Sequence, residues 1–161
     1  MCDVRLNREN FAELSAELLG RGNRIRFRAL GQSMAPRIRD GDVLTVEPAT
    51  LSDLRVGDVA LHRTGDRQLV AHRVVGRRAE DGHPVLRTRG DAVAGAADEV
   101  REQDVLGRVV ERERDGRVAC IGRGLWRVGG RLLVTFLAFR GLVARFARAG
   151  RRLAAWPLRR A

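Results

Sequence analysis

The segment Gly31–Pro36 contains the residue whose type and setting could carry covalent chemistry. Its sequence, Gly-Gln-Ser-Met-Ala-Pro, lies between an alternating run that ends near Ala29 and the turn signal Asp40-Gly41, so Ser33 is presented on a tight connection. A serine hydroxyl becomes a nucleophile when a neighbouring base takes its proton. A lone serine beside glycine is more typical of turn chemistry, and the surrounding motifs must decide between the two interpretations.

Five short motifs follow one another in order along the chain. They are Ser33-Met34-Ala35-Pro36, Asp40-Gly41-Asp42, Val56-Gly57-Asp58, Ala71-His72-Arg73-Val74-Val75 and Arg89-Gly90-Asp91. Each motif is weak alone, but the ordered set resembles the signal peptidase I family and the related LexA-type self-cleaving repressors over residues 25–110. In this resemblance the Ser-Met dipeptide carries the nucleophile, and a Gly-Asp pair soon after it opens the next strand.

The chain contains no lysine, since all 31 of its basic residues are arginine. The bacterial signal peptidases and the repressors use a lysine as general base, and this chain has none to offer. The archaeal and endoplasmic-reticulum branch places a histidine in a His-Arg-Val strand and a Gly-Asp further on. That branch is the better match, through His72–Val74 and Gly90-Asp91.

The resemblance implies a catalytic site made of Ser33, His72 and an acid. An imidazole, with an ordinary pKa of about 6.5, is the usual base at neutral pH, so His72 is expected to accept the Ser33 hydroxyl proton. A carboxylate is expected to accept the other ring N–H and to orient the ring. Asp91, in the Gly-Asp motif, is the preferred candidate, and Asp98 is the alternative.

Other residues near this motif have more than one interpretation. The backbone N–H of Ser33 is expected to stabilise the oxyanion, whereas Gly31 offers no side-chain hydroxyl as a second donor. Arg73 and Arg89 are either solvated strand positions or charge partners of Asp91.

Five further polar residues are interpreted as structural. The histidines lie at a strand end and in a Gly-His-Pro turn, and the aspartates stand beside glycine as turn formers: His62, His83, Asp40, Asp42 and Asp58.

The elements that position the site are predicted to be mainly β-strands after one short helix. Asn10 and Glu13 form a capping pair ahead of apolar residues at helical spacing, and glycines 20 and 22 end the helix. From Arg24 the period changes to two. We predict strands over Ile25–Ala29, Val43–Val46, Asp58–His62, Leu69–Val75, Val85–Thr88 and Val105–Val110, with turns at Asp40-Gly41, Gly65-Asp66, Asp81-Gly82 and Asp115-Gly116.

The fold class that follows is mainly β, with an antiparallel LexA/signal-peptidase-like domain. We expect an N-terminal helix within residues 1–23, the β catalytic domain over 24–120 and a helical tail over 121–161.

The tail differs from the rest of the chain in charge. Residues 121–161 hold ten arginines and no acidic residue, whereas residues 1–120 hold 21 arginines and 20 acids. Large apolar residues and arginines at helical spacing over 124–152 predict a basic amphipathic helix. We expect this helix either to contact an anionic membrane or to fold back on the β domain.

Composition excludes several other classes of protein. Aromatic residues make up only 4% and tyrosine is missing, which disfavours stacking platforms for single-stranded nucleic acid. The apolar run Leu132–Phe139 is far shorter than the ~20 residues of a spanning helix, and Met1–Asn10 lacks the apolar run of a secretory signal. Cys2 and Cys120 form no metal-binding pair, so no metal or cofactor is expected. The predicted location is cytoplasmic, with peripheral contact on the inner face of the membrane.

Three functions compete at this point. The first is a serine endopeptidase that cleaves a peptide or precursor protein, with a preference for small residues implied by the resemblance. The second is a non-catalytic β module that binds a peptide strand or a membrane. The third is a LexA-like regulator that cleaves only itself, which is disfavoured because the roughly 23 residues ahead of the first strand offer no helix-turn-helix.

Overall fold

The computed structural model describes residues 7–66 and 68–121, which form one helix followed by eight strands. Helix α1 spans Arg8–Gly20. The strands are β1 (Ile25–Arg28), β2 (Val43–Pro48), β3 (Val59–Arg63), β4 (Leu69–Glu80), β5 (His83–Arg89), β6 (Asp98–Val100), β7 (Val105–Arg114) and β8 (Arg117–Cys120). A 3-10 turn over Glu102–Asp104 leads into β7.

The strands form one sheet in the order β1-β2-β7-β3-β4-β5-β6, with β8 paired to β7. Every pairing is antiparallel. The long strand β4 changes partner along its length: Leu69–Arg73 pairs with β3, and pairing with β5 begins only at Arg73. Within the part of the chain that the structure describes, no strand pairs with the outer edge of Leu69–His72.

The N-cap of helix α1 lies three residues earlier than predicted. Asn7 has extended backbone angles, and its side-chain oxygen accepts the Asn10 N–H at 2.8 Å, so Asn7 is the N-cap. The prediction that Asn10 caps the helix is therefore wrong, because Asn10 is the residue being capped. The predicted end is confirmed, since the helix stops at Gly20 and Gly22 has a φ of 84°.

The core anchors the connection that carries Ser33. One apolar cluster is built mainly from α1, β1, β2, β3 and β7, and Met34 belongs to it with only 4% of its surface exposed. A second cluster packs β3, β4, β5 and β6 against the loop that follows β2. The residue after Ser33 is thus buried among Leu44, Leu61 and their neighbours, which fixes the backbone of the turn.

The mainly antiparallel β fold with a short N-terminal helix is confirmed. Two of the three predicted Asp-Gly turns have two consecutive residues at positive φ, 49° and 78° at Asp81-Gly82, 50° and 72° at Asp115-Gly116, which suits tight hairpins. Strands β6 and β8, of three and four residues, are not predicted from the sequence. The helix predicted over 124–152 lies outside the described residues. Across residues 7–66 and 68–121, no helix has the length and hydropathy needed to cross a bilayer.

Candidate active site

Ser33 lies in a turn that follows β1. Gly31 enters this turn with a φ of 91°, and its N–H donates to Asp40 Oδ1 at 2.7 Å. A further turn hydrogen bond joins the Ile38 N–H to the Met34 carbonyl at 3.0 Å. Ser33 itself is exposed while Met34 is buried. The turn therefore presents the hydroxyl-bearing residue to solvent on a backbone rooted in the core.

The Gly90–Ala92 segment packs against the backbone of Ser33. The Ala92 N–H donates to the Ser33 carbonyl at 2.8 Å. A Cβ on residue 90 would lie 2.5 Å from that same carbonyl oxygen and 2.9 Å from Val93 Cγ2. Glycine at position 90 is thus required by the close approach of two backbones, which explains the first residue of the Gly-Asp motif.

Asp91 is the charge partner of Arg73. The guanidinium donates to both carboxylate oxygens, at 2.7 and 2.6 Å, and its third nitrogen donates to the Gly57 carbonyl at 2.7 Å. Both side chains are 1% exposed. Of the two interpretations of the arginines, Arg73 is the ion-pair partner, while Arg89 donates to the carbonyl of Gly95 at 3.3 Å. Both oxygens of Asp91 are engaged by Arg73.

The carboxylate beside His72 is that of Asp98. His72 Nδ1 lies 3.4 Å from Asp98 Oδ2, without the geometry of a hydrogen bond in this structure. The His72 side chain is 13% exposed and that of Asp98 57% exposed. Asp98 is thus the carboxylate in contact with the His72 ring, whereas both oxygens of Asp91, the acid preferred from the sequence, face Arg73.

Burial sets the protonation state of His72. Desolvation lowers the pKa of the ring below its ordinary value, and the negative charges of Asp98 and Asp91 oppose that effect in part. At neutral pH the imidazole is therefore uncharged. An uncharged imidazole is a suitable proton acceptor.

Ser33 and His72 belong to the same region through two structural links. Ser33 lines a cleft together with Leu69, Val70 and Ala71, the three residues that precede His72 in β4. In addition, Arg73, next to His72, holds Asp91, whose neighbours pack on the Ser33 backbone. The serine-bearing turn and the histidine-bearing strand are thereby joined by one buried ion pair.

The cleft has a volume of about 300 Å³ and mostly apolar walls. Two runs of consecutive residues line it, Phe27–Gly31 and Gln68–Ala71. Successive side chains of a strand point to opposite faces, so consecutive lining residues mean that the cleft runs along strand edges. Phe11 of α1 also lines the cleft, and the centroid of its ring lies 5.2 Å from that of Phe27.

His62 is a residue of this region that the sequence interpretation treats as merely structural. Its ring is fully buried, and its centroid lies 5.9 Å from that of His72 in an edge-to-face arrangement. The sequence feature that indicates this proximity is the Gly65-Asp66 turn. That hairpin sets the register in which Ala60 faces His72 and His62 faces Val70. His83, in contrast, is exposed at the start of β5.

Comparison with known proteins gives one family. The family described as Peptidase S24-like, within the LexA and signal peptidase superfamily, matches residues 4–110. This range covers about two thirds of the 161 residues and includes Ser33, His72, Asp91 and Asp98. No curated protein shows a significant match to the chain.

Proposed function

The chain belongs to the Peptidase S24-like family, which makes it a serine peptidase of LexA-like fold, and from this premise we propose that it is an endopeptidase with Ser33 as nucleophile and His72 as general base. The observation that carries the proposal is that Ser33 lines the same cleft as Leu69–Ala71, the residues that lead directly to His72, an uncharged and largely buried ring with Asp98 beside it.

The proposed reaction has two steps. Ser33 Oγ attacks the scissile carbonyl carbon while His72 takes the hydroxyl proton. The C–N bond then breaks, the proton passes from His72 to the leaving amine, and an ester joins the acyl fragment to Ser33. Water, deprotonated by His72, attacks this ester and releases the new carboxyl end, which regenerates the Ser33 hydroxyl.

Histidine rather than lysine is the base in this proposal. Relatives that use lysine as the base need its amine to be uncharged at neutral pH. This chain has no lysine at any position. His72 occupies the position that precedes Arg73 in β4, so the ion pair of Arg73 with Asp91 fixes the strand that carries it. This favours the histidine-type branch that the archaeal and endoplasmic-reticulum signal peptidases represent.

The two acids have different tasks in this site. Asp98 faces the ring and stabilises the imidazolium that forms when His72 accepts the proton. Asp91 acts at a distance, because its carboxylate holds the Gly90–Ala92 segment against Ser33 through Arg73. A substitution at either position is expected to impair acylation for a different physical reason.

The substrate that fits the cleft is an extended peptide. The outer edge of Leu69–His72 has no strand partner among the described residues, and β1 likewise pairs on one side only. A peptide strand between these edges could hydrogen-bond to the main chain and place alternate side chains against the apolar walls. Such a peptide would pass Ser33, which lines the cleft, and Ala71, the residue before His72.

The test is cleavage and acylation by the full chain. Incubation with a mixture of denatured protein fragments, followed by mass spectrometry of new N-termini, should give cleavage products that disappear with Ser33→Ala and with His72→Ala. Ser52→Ala and His83→Ala are the matched controls, because both residues are exposed and outside the cleft. Cleavage that persists in Ser33→Ala contradicts the proposal. Products derived only from the chain itself would assign the self-cleaving alternative instead.

A further inference from the structure

We infer that His62 is a positioning residue, which holds the His72 ring in place by an edge-to-face contact from the buried side of the site. The inference rests on the proposed function, in which His72 acts as the base. It assigns a task to a buried histidine that the proposed mechanism does not otherwise use.

The register of the sheet places the two rings on one face. In the β3–β4 pairing, Ala60 is opposite His72 and His62 is opposite Val70, so the two histidines are diagonal neighbours on the same side of the sheet. Their centroids are 5.9 Å apart with an interplanar angle of 66°. This is the T-shaped arrangement that ring pairs favour.

Hydrogen bonds fix the His62 ring itself. Its Nδ1 lies 3.0 Å from the Arg63 carbonyl oxygen, which can only accept, so Nδ1 carries a proton. Its Nε2 lies 3.0 Å from Thr88 Oγ1 and accepts from that hydroxyl in the uncharged ring. Burial lowers the pKa of His62, which keeps the ring in this uncharged tautomer. Both ring nitrogens are hydrogen-bonded and the side chain is fully buried. His62 therefore has a fixed orientation and does not act as a second base.

His72 needs a rigid neighbour on its buried side, because its contact with Asp98 is long and lacks a hydrogen bond. The carboxylate is more than half exposed and approaches Nδ1 at 3.4 Å without a hydrogen bond, so it does not by itself define the ring orientation. The side opposite the solvent is where His62 touches the ring. Rotation of His72 towards the sheet is therefore blocked by a residue that is locked by Thr88 and Arg63.

The groups that act electrostatically on His72 are Asp98 of β6 and Asp91 of the loop after β5, with uncharged His62 on β3. Removing the His62 ring would let water approach His72. Because burial is the main cause that lowers its pKa, this change should raise that pKa towards 6.5, the ordinary value.

The experiment follows acylation of Ser33 in the full chain by the p-nitrophenyl ester of acetyl-alanine, measured as the mass of the Ser33 peptide across about pH 5 to 9. The lack of lysine leaves few competing amines, and Ser33→Ala supplies the background. We expect His62→Ala to slow acylation by roughly tenfold or more and to raise the apparent pKa of the pH profile. A variant that merely lost stability would lower the amplitude without moving this pKa.

A matched pair of double variants covers the case in which His62→Ala fails to fold. His62→Phe with Thr88→Val keeps a ring edge against His72 and removes both members of the His62–Thr88 hydrogen bond together, which is better tolerated than removing one. The Arg63 carbonyl loses its side-chain donor in both double variants alike. His62→Leu with Thr88→Val fills the space without a ring edge. We expect the Phe variant to acylate within about threefold of the unmodified chain and the Leu variant to be roughly tenfold slower. Equal rates in the two overturn the inference. A wild-type chain that is never acylated at Ser33 overturns the proposed function itself.

Discussion

Arg73 and Asp91 form a buried, bidentate ion pair that ties the histidine-bearing strand to the serine-bearing turn. Two parallel hydrogen bonds of 2.7 and 2.6 Å join the side chains, and the same arginine holds the Gly57 carbonyl. Desolvating two charges is costly, so such a pair is retained only where its hydrogen bonds are complete. Its position between His72 and the Ser33 backbone means that it specifies the geometry of the site more than it adds net stability.

Breaking this ion pair is expected to be strongly destabilising. Asp91→Asn leaves the Arg73 charge buried without its counter-charge, which costs about 3–5 kcal/mol in the free energy of unfolding. Urea denaturation of the full chain measures this loss. The control is Glu17→Gln, which removes the exposed ion pair with Arg21 and should leave the midpoint of unfolding almost unchanged. Equal stability of Asp91→Asn and the unmodified chain would show that the pair is not held as described.

A methyl group at position 90 is expected to displace the Ser33 turn. The added Cβ of Gly90→Ala would meet the Ser33 carbonyl oxygen at 2.5 Å, where backbone gives no room, so we expect a loss of about 1–3 kcal/mol in stability and slower acylation of Ser33. Gly65→Ala is the matched control, because nothing lies within 4 Å of its Cβ. The measurement compares the free energy of unfolding and the rate of Ser33 acylation of the two variants. Identical behaviour would contradict the packing of Gly90 on Ser33.

The pH dependence of acylation should report the charge of Asp98. His72 is active when uncharged, so the rate rises with pH through its pKa, which burial holds below 6.5. Asp98 raises that pKa, and Asp98→Asn should therefore move the acid limb of the profile to lower pH. The plateau rate should also fall, because the imidazolium loses its counter-charge.

Asp104→Asn is a suitable control for this experiment. Asp104 acts electrostatically on His62 and is not among the charges that act on His72. An acid limb that moves to higher pH in Asp98→Asn, or does not move at all, would remove Asp98 from its assigned place beside the ring.

The sequence predicts the residues of the site better than the contacts among them. Ordered motifs single out Ser33, His72 and Asp91, the resemblance adds Asp98 as the alternative acid, and period-two runs place most strands. Which acid faces His72 depends on β6, a three-residue strand whose register sets Asp98 opposite Thr88. A strand of three residues is too short to show a periodic pattern of apolar residues in the sequence. The engagement of Asp91 by Arg73 depends on side chains 18 residues apart, which local patterns do not reveal.

The same limit applies to His62. A histidine at a strand end is usually structural, and the motif order of the resemblance does not include it. Its relation to His72 follows from the β3–β4 register, which is fixed by the turn around Gly65 and Asp66. Turn chemistry predicts the hairpin, but one residue of slip would place the two rings on opposite faces.

For the tail we propose peripheral binding to an anionic membrane, on the sequence alone. Residues 121–161 carry ten arginines and no acid, and each arginine near anionic headgroups contributes about 1 kcal/mol. Replacing Arg145, Arg148, Arg151 and Arg152 by Gln should therefore weaken binding to phosphatidylglycerol vesicles by roughly two to three orders of magnitude. Salt near 1 M, where the Debye length is about 3 Å, should have a similar effect on the unmodified chain.

The matched control removes four charges from the β domain instead, by Gln at the exposed residues Arg39, Arg55, Arg87 and Arg117. Net charge falls equally in both variants. If only the tail variant binds the vesicles more weakly, the tail makes the contact. If both variants lose the same affinity, the overall charge of the chain is responsible. Flotation with phosphatidylglycerol and with phosphatidylcholine vesicles measures the binding of each variant to an anionic and to a neutral lipid. Equal binding to the two lipids, or none to either, contradicts the membrane contact and favours a tail that packs on the β domain.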